Sequence, residues 1–364
     1  MIRISSIQLF SLILAFEVGS TTLFALGIGA GQDAWIVVLF AFLVGLILLI
    51  VYTQFPKYYP YQNFAGILEG AMGKKIAKPL LFLFALYFYS QATHNFYEFG
   101  VLIKMTALPR TPLIVILYMF IFVIIYILCL GFEVLARTAE IFVPYLILFL
   151  VATYIIMFFS GNFDLGHLLP ILGDGIKPVL GEVHTVIGFP FGEMVVFLMF
   201  WHYVREQQAV RKIAVLSVSV STLLLITSLI VIISVLGPEL AAYTEIPLLE
   251  TLISVNIANV ITNLDSISVF IIFIGGFFKT ALHFSGFCLA FSWLFNHKNK
   301  NQRWVITIFA ILLPLFSVYR FDGLDDQRWK GLEGGVLSIL LFSFLPVLLL
   351  LLIMLKRKTS SKGV

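Results

Sequence analysis

The sequence predicts an all-α, polytopic membrane protein whose ten transmembrane helices form two sets of five, the second inverted relative to the first. Three observations predict it. Of the 364 residues, 61% are hydrophobic and only 12% are charged, about half the charged share of a soluble domain. A mean hydropathy of +1.06 extends along the whole length, which excludes a soluble domain on one anchor and excludes a disordered chain. The apolar residues also fall into ten separate runs, each close to the ~20 residues that cross a hydrocarbon core.

The runs cover 6–30, 35–55, 79–104, 112–131, 141–160, 185–201, 212–236, 266–293, 304–319 and 334–355. The first follows a single Arg and is long for a signal peptide, so it is read as span one. An even number of spans places both termini on one side. That side collects 16 of the Lys and Arg residues against six opposite, with Lys279 inside a span, which predicts cytoplasmic termini. An odd number of spans per set inverts the second set. The chain thus divides into a first five-helix repeat (1–160), an outer connecting loop (161–184), a second five-helix repeat (185–355) and a basic cytoplasmic tail (356–364). In the loop, His167 and His184 are read as solvated residues rather than metal ligands. Residues 237–265 hold no Lys or Arg and read as a short helix lying at the membrane interface.

Several functions are excluded by what the pattern lacks. Cys129 and Cys288 stand alone in apolar runs without zinc-ligand spacing. The basic residues mark the ends of spans and form no nucleic-acid patch. Gly27, Gly29 and Gly31 alternate but follow no strand, and Gly70 to Lys75 lacks the length of a phosphate loop. No HExxH or GxSxG motif occurs. The expectation is a non-enzyme with no cofactor and no metal.

Two spans have helix-breaking centres. Span one reads Glu17-Val18-Gly19-Ser20-Thr21-Thr22, and span six reads Gly188-Phe189-Pro190-Phe191-Gly192-Glu193. Pro flanked by Gly makes a poor continuous helix. In hydrocarbon, freed backbone groups are tolerated only where they line protein or a water-filled cavity. As the first members of two inverted sets, spans one and six are where paired breaks indicate a central binding site. Helix N-termini there suit a carboxylate and freed carbonyls suit a cation, so a zwitterionic amino acid satisfies both. Ionisable residues within spans are Glu17, Glu98, Glu193 and Lys279. Lys279 is expected to stand in for a bound metal cation between spans one and eight, paired with Glu17. Tyr97 and Glu98, in a polar cluster with His94 and Asn95, either line the same cavity or form an interhelical hydrogen-bond set.

Ordered motifs then carry a resemblance over nearly the whole chain. They are Ala30-Gly-Gln-Asp33-Ala-Trp35, Arg110-Thr-Pro112, Gly131-Phe-Glu-Val-Leu-Ala-Arg137-Thr-Ala-Glu140, Leu169-Pro170-Ile-Leu-Gly-Asp-Gly175, Phe189-Pro190-Phe191-Gly192-Glu193, and Leu236-Gly237 followed by Pro247. Together they resemble the spore permease family, the B subunits of GerA-type spore germinant receptors, distant relatives of amino acid-polyamine-organocation permeases. The resemblance implies a LeuT-like fold with helices one and six broken. It also implies a place in the inner membrane of a bacterial endospore, and partnership with receptor A and C subunits. Its members sense a nutrient germinant, often an amino acid. Carried over, the binding segments are Gly19 to Thr22 and Phe189 to Glu193. The chain departs from the family at Thr262-Asn263-Leu264-Asp265, where Asn replaces the usual Arg. The first reading is a ligand-sensing membrane subunit. The alternative is a proton- or cation-coupled amino acid transporter, with Glu193 or Lys279 titrating, and a structural or channel-forming subunit stands third.

Overall fold

The computed structural model describes residues 3–19, 21–254, 265–295, 302–330 and 336–360. Among these, extended pairing is confined to an isolated bridge between Ile4 and Val204. The rest of the regular structure is helical: α1 Ser6–Val18, α2 Ala34–Tyr52, α3 Gln54–Tyr58, α4 Phe64–Met72, α5 Lys74–Thr106, α6 Leu113–Leu130, α7 Phe132–Phe158, α8 Lys177–Gly188, α9 Val210–Tyr243, α10 Pro247–Ile253, α11 Asp265–Leu294, α12 Gln302–Arg320, α13 Leu324–Arg328 and α14 Val336–Ser360, with short 3-10 segments between.

Local sequence accounts for the ends. Ser5 caps α1 in a reciprocal capping box with Gln8. Pro112 precedes α6, where its missing N–H costs nothing. Gly73 (φ 77°) and Gly131 (φ 117°) turn the chain between consecutive helices in conformations that a side chain disfavours. In α9 the predicted end at 236 falls at a kink, Gly237 before Pro238, after which the helix resumes to Tyr243.

Nine helical stretches among the described residues are long and apolar enough to cross a membrane. The remaining predicted run, 79–104, lies in α5. Its 33 residues rise about 50 Å, ample for a bilayer, but Ser90, Gln91, His94, Asn95 and Glu98 dilute its hydropathy. The helices separate into interior and rim. The window of α11 is 78% buried whereas that of α6 is 28% buried, so α11 is the central helix and α6 faces outward. Helix α11 packs along α5, and α1 is enclosed by α7, α9 and α11. On α6 and α7, Met119, Phe122, Tyr126, Leu148 and Ile155 are exposed, as a lipid-facing surface requires.

The expected interfacial helix is α10, seven residues long, with Pro247, Leu248, Thr251 and Leu252 buried against the protein. The departure at Asn263 lies outside the described residues.

Candidate functional site

Helices α1 and α8 end beside the Gly19 and Pro190 segments. Helix α1 stops at Val18, Gly19 closes its last turn on the Ala15 carbonyl, and Thr21–Leu23 form a single 3-10 turn. The stop coincides with the closest helix approach in this region. A Cβ built on Gly19 lies 1.9 Å from the Cα of Gly275 in α11, so the backbones of α1 and α11 are in contact. Thr22 Oγ1 donates to the Gly19 carbonyl at 3.4 Å, satisfying one acceptor left over at the helix end. Ser20 lies outside the described residues.

Helix α8 ends at Gly188. Phe189 is extended (φ −126°, ψ 117°), the conformation favoured before Pro190. A nine-residue 3-10 segment, Phe191–Met199, continues from it, longer than such helices normally run. Phe191 and Gly192 turn away from the interruption of α1. Phe191 packs on Phe42 and Gly45 of α2, and the Gly192 carbonyl accepts from Ser343 Oγ of α14 at 2.9 Å.

Lys279 of α11 lies where the two interruptions meet. It is fully buried, and its Nζ is 2.8 Å from Glu193 Oε2, which is 1% exposed. The same ammonium lies 3.5 Å from Thr21 Oγ1 and 3.7 Å from the ring centroid of Phe189, with the Phe16 ring at 5.5 Å. Asn95 of α5 also reaches the Glu193 carboxylate. A charge this deep is tolerated only with a partner, and the partner here is Glu193. The expected pairing of Lys279 with Glu17 is therefore corrected. Glu17 is fully buried, and both its carboxylate oxygens lack a hydrogen-bond partner among the described residues. The reason is register: Glu193 comes from the segment after Pro190 and meets Lys279 directly, whereas Glu17 lies two residues, about half a turn, before Gly19, where α1 touches α11.

The polar cluster of α5 divides. Asn95 turns to Glu193, while His94 meets Gln327 Nε2 at 2.7 Å and the Tyr97 ring packs on Phe321 at 5.1 Å, both beside α13. Glu98 is buried within electrostatic range of Arg328, Lys279 and Glu193. Sequence reading missed Phe16, Gly275 and His283, whose Nδ1 meets the Lys279 carbonyl at 3.0 Å. The paired Gly275-Gly276 four residues before Lys279 was the available signal for a close helix contact.

A cavity of about 410 Å³ opens toward the face opposite Ile4, lined by residues 24–29, Glu182, Thr185, Glu245 and Arg328. Phe189 also lines it, and the Lys279 ammonium lies over the same ring. Near its mouth Asp326 pairs with Lys330 at 2.7 Å, and that hydrogen bond holds its carboxyl below the usual range. On the opposite face a groove of about 1120 Å³ is lined by Lys57, Tyr61, Arg205, Glu206 and Arg211. Among the described residues no cluster of three His, Cys, Asp or Glu side chains could hold a metal.

Two of the sequence motifs interlock. Asp33 is 3% exposed and both its oxygens accept from the Leu172 N–H, at 3.0 and 3.1 Å, while Gln32 Nε2 donates to the Pro170 carbonyl at 3.2 Å. These bonds fasten the 169–175 loop over the start of α2.

The all-helical membrane architecture matches solved structures of LeuT-fold transporters. The crystal structure of MhsT in complex with L-phenylalanine superposes with a TM-score of 0.66 at 15% identity, over 94% of this chain and 89% of that one. Mhp1, a nucleobase-cation-symport-1 family transporter, in a closed conformation with bromovinylhydantoin bound, gives 0.67 at 13% identity, over 96% and 78%. Sequence narrows the class. The family model described as spore germination protein, Spore_permease, matches residues 3–322. Spore germination protein KB of Bacillus subtilis (strain 168) is 31% identical, over 99% of this chain and 98% of its own length. Spore germination protein A2 of the same organism is 23% identical, over 91% and 88%. The chain belongs to the spore permease family. It is an integral membrane protein whose relatives are germination proteins and whose structural neighbours are transporters.

Proposed function

We propose that this chain is the nutrient-sensing membrane subunit of a spore germination receptor. It binds a small germinant, an amino acid by preference, at mid-membrane between the end of α1 and the Phe189–Glu193 segment. The observation that carries the reading is the Lys279–Glu193 pair, which joins both interruptions at one buried point beneath Phe189. Its charged groups, with the Thr21 hydroxyl beside them, suit the two ends of a zwitterion. The cavity above Phe189 supplies a route from the face opposite Ile4. In this reading the two five-helix repeats, 1–160 and 185–355, rock about that point, both termini lie on the cytoplasmic (spore core) side of the spore inner membrane, and the receptor A and C subunits receive the motion. A sensor of this kind needs a ligand that binds its two states with different affinity.

The test is thermal stability of the purified chain, with partner subunits where needed, against amino acids, sugars and nucleosides. A ligand at about 100 times its Kd stabilises by roughly 2.7 kcal/mol if it binds only the folded state. One amino acid is expected to raise Tm, and Thr21→Val or Glu193→Gln in a folded variant is expected to remove the rise. No response from the intact complex to any compound would remove the reading. The fold neighbours keep a second reading, secondary transport, in play. Saturable amino acid uptake by the chain alone in liposomes selects it over sensing.

A further inference from the structure

The ionic centre contains more acid than base. Three ionisable side chains, Glu17, Glu193 and Lys279, are fully or almost fully buried within it. Lys279 is committed to Glu193 at 2.8 Å, with Thr21 and the Phe189 ring completing its surroundings. That leaves Glu17 fully buried, with neither oxygen hydrogen-bonded and no ion pair of its own among the described residues, Lys279 acting on it only through space.

The helices packed on α1 are α7, α9 and α11. From α11 come Lys279, already paired, and His283, whose ring lies 5.1 Å from that of the neighbouring Phe16. The Nδ1 of His283 is engaged by the Lys279 carbonyl, which can only accept, and its Nε2 has no partner. From α9 come hydroxyls rather than charges: Ser217 donates to the Phe10 carbonyl and Ser221 is buried. From α7 the nearest acid is Glu140, which accepts from Gln8 at the far end of α1. Glu193, from the segment after Pro190, adds a second negative charge. The backbone opposes a carboxylate as well, because Glu17 occupies the last turn of α1, whose unpaired carbonyls form the negative end of the helix. An ionised carboxylate without donor or cation is the most costly group a hydrocarbon-level interior can hold.

We infer that Glu17 is a proton-binding site: buried from water as it is here, it is a carboxylic acid, its proton taken from water, and it releases that proton to water when the centre opens. A chain built this way moves one proton with each opening, whichever ligand drives it. The assignment places the exchangeable proton on Glu17 rather than on Glu193 or Lys279, which neutralise each other. It does not depend on the identity of the germinant, or on whether one binds between the interruptions.

Infrared spectroscopy of the full chain in lipid nanodiscs at neutral pH tests it directly, since protonated and ionised carboxyls absorb in separate bands. The expected result is a carboxylic acid band in the wild type that shifts in D2O, diminishes by one carboxyl in Glu17→Gln and persists in the double variant Lys279→Met with Glu193→Gln, which removes both charges of the pair at once. Glu98→Gln separates any acid contributed by the other buried glutamate. Should Glu17→Gln not fold, Glu17→Asp keeps the acid and is expected to move the band to the aspartic position. A wild type without an acid band overturns the proposal. So does a band that Glu98→Gln removes entirely, or one that neither Glu17 variant alters.

Discussion

Removing either half of the Lys279–Glu193 pair is expected to destabilise the protein far more than removing both. At 2.8 Å and an effective dielectric of about 20, the Coulomb attraction is roughly 6 kcal/mol. The Phe189 face over the ammonium at 3.7 Å contributes about 2 kcal/mol when desolvated. Burying the two ions costs several kcal/mol each, so the pair is close to neutral as a whole, whereas an orphaned member is not. Lys279→Met and Glu193→Gln should each therefore cost about 3–5 kcal/mol, and the double variant only about 1–2 kcal/mol. The resulting coupling is roughly 6 kcal/mol, the size of the Coulomb attraction itself. The assay is a double-mutant cycle by SDS-titrated unfolding in mixed micelles, with circular dichroism showing that each variant retains its helices. A double variant whose loss equals the sum of the singles would refute the reasoning, because it would mean that the two charges do not face each other in the membrane.

Three further outcomes are expected. Gly19→Ala sets a Cβ 1.9 Å from the Gly275 backbone and Gly276→Ala sets one 2.2 Å from Phe99, whereas Gly70→Ala in α4 meets nothing within 4 Å. The first two should cost about 3 kcal/mol or more by forcing packed elements apart, and the third should gain up to about 1 kcal/mol of helix propensity, ranked by thermal unfolding in nanodiscs. Asp33→Ala leaves the Leu172 N–H without its acceptor, which should cost about 1–3 kcal/mol and speed proteolysis of the 169–175 loop without altering cleavage elsewhere. Because the Lys330 bond holds the Asp326 carboxyl below its usual range, the contact should be fully present above the ordinary aspartate value. It should be lost only as pH falls through the lower folded value, and Lys330→Gln should move that transition back up. A carbon-13 label on the Asp326 carboxyl reads it.

The fold was legible because its signals are local. Ten apolar runs, Gly19 among hydroxyl residues and Pro190 between glycines each announce themselves within a dozen residues, as does the Gly237-Pro238 kink. The partner of Lys279 was not legible. Glu17 and Glu193 have the same side-chain chemistry at equivalent breaks, and the choice between them depends on which segment meets α11 at that level. Tyr97 and Asn95 show the same limit, since two residues of separation on α5 turn one toward Phe321 and the other toward Glu193. The hydropathy of α5 misleads for a related reason. Its polar residues face the centre and α13, so the helix most intimately packed on α11 looks the least like a membrane span.

The enclosure of α1 also dictates how the chain must be assembled. Helix α1 emerges from the ribosome before its lasting neighbours α7, α9 and α11, and Ile4 just ahead of it bridges to Tyr203 and Arg205. At about 5–20 residues per second, the 262 residues from Val18 to Lys279 take on the order of 10–50 s to synthesise. Helices α7 and α9 are made within that interval, but the side of α1 that meets α11 stays uncovered until its end. Completion of the ionic centre is thus a late event of biogenesis, and a chain truncated before Lys279 should leave that side of α1 exposed to the cell's membrane quality control.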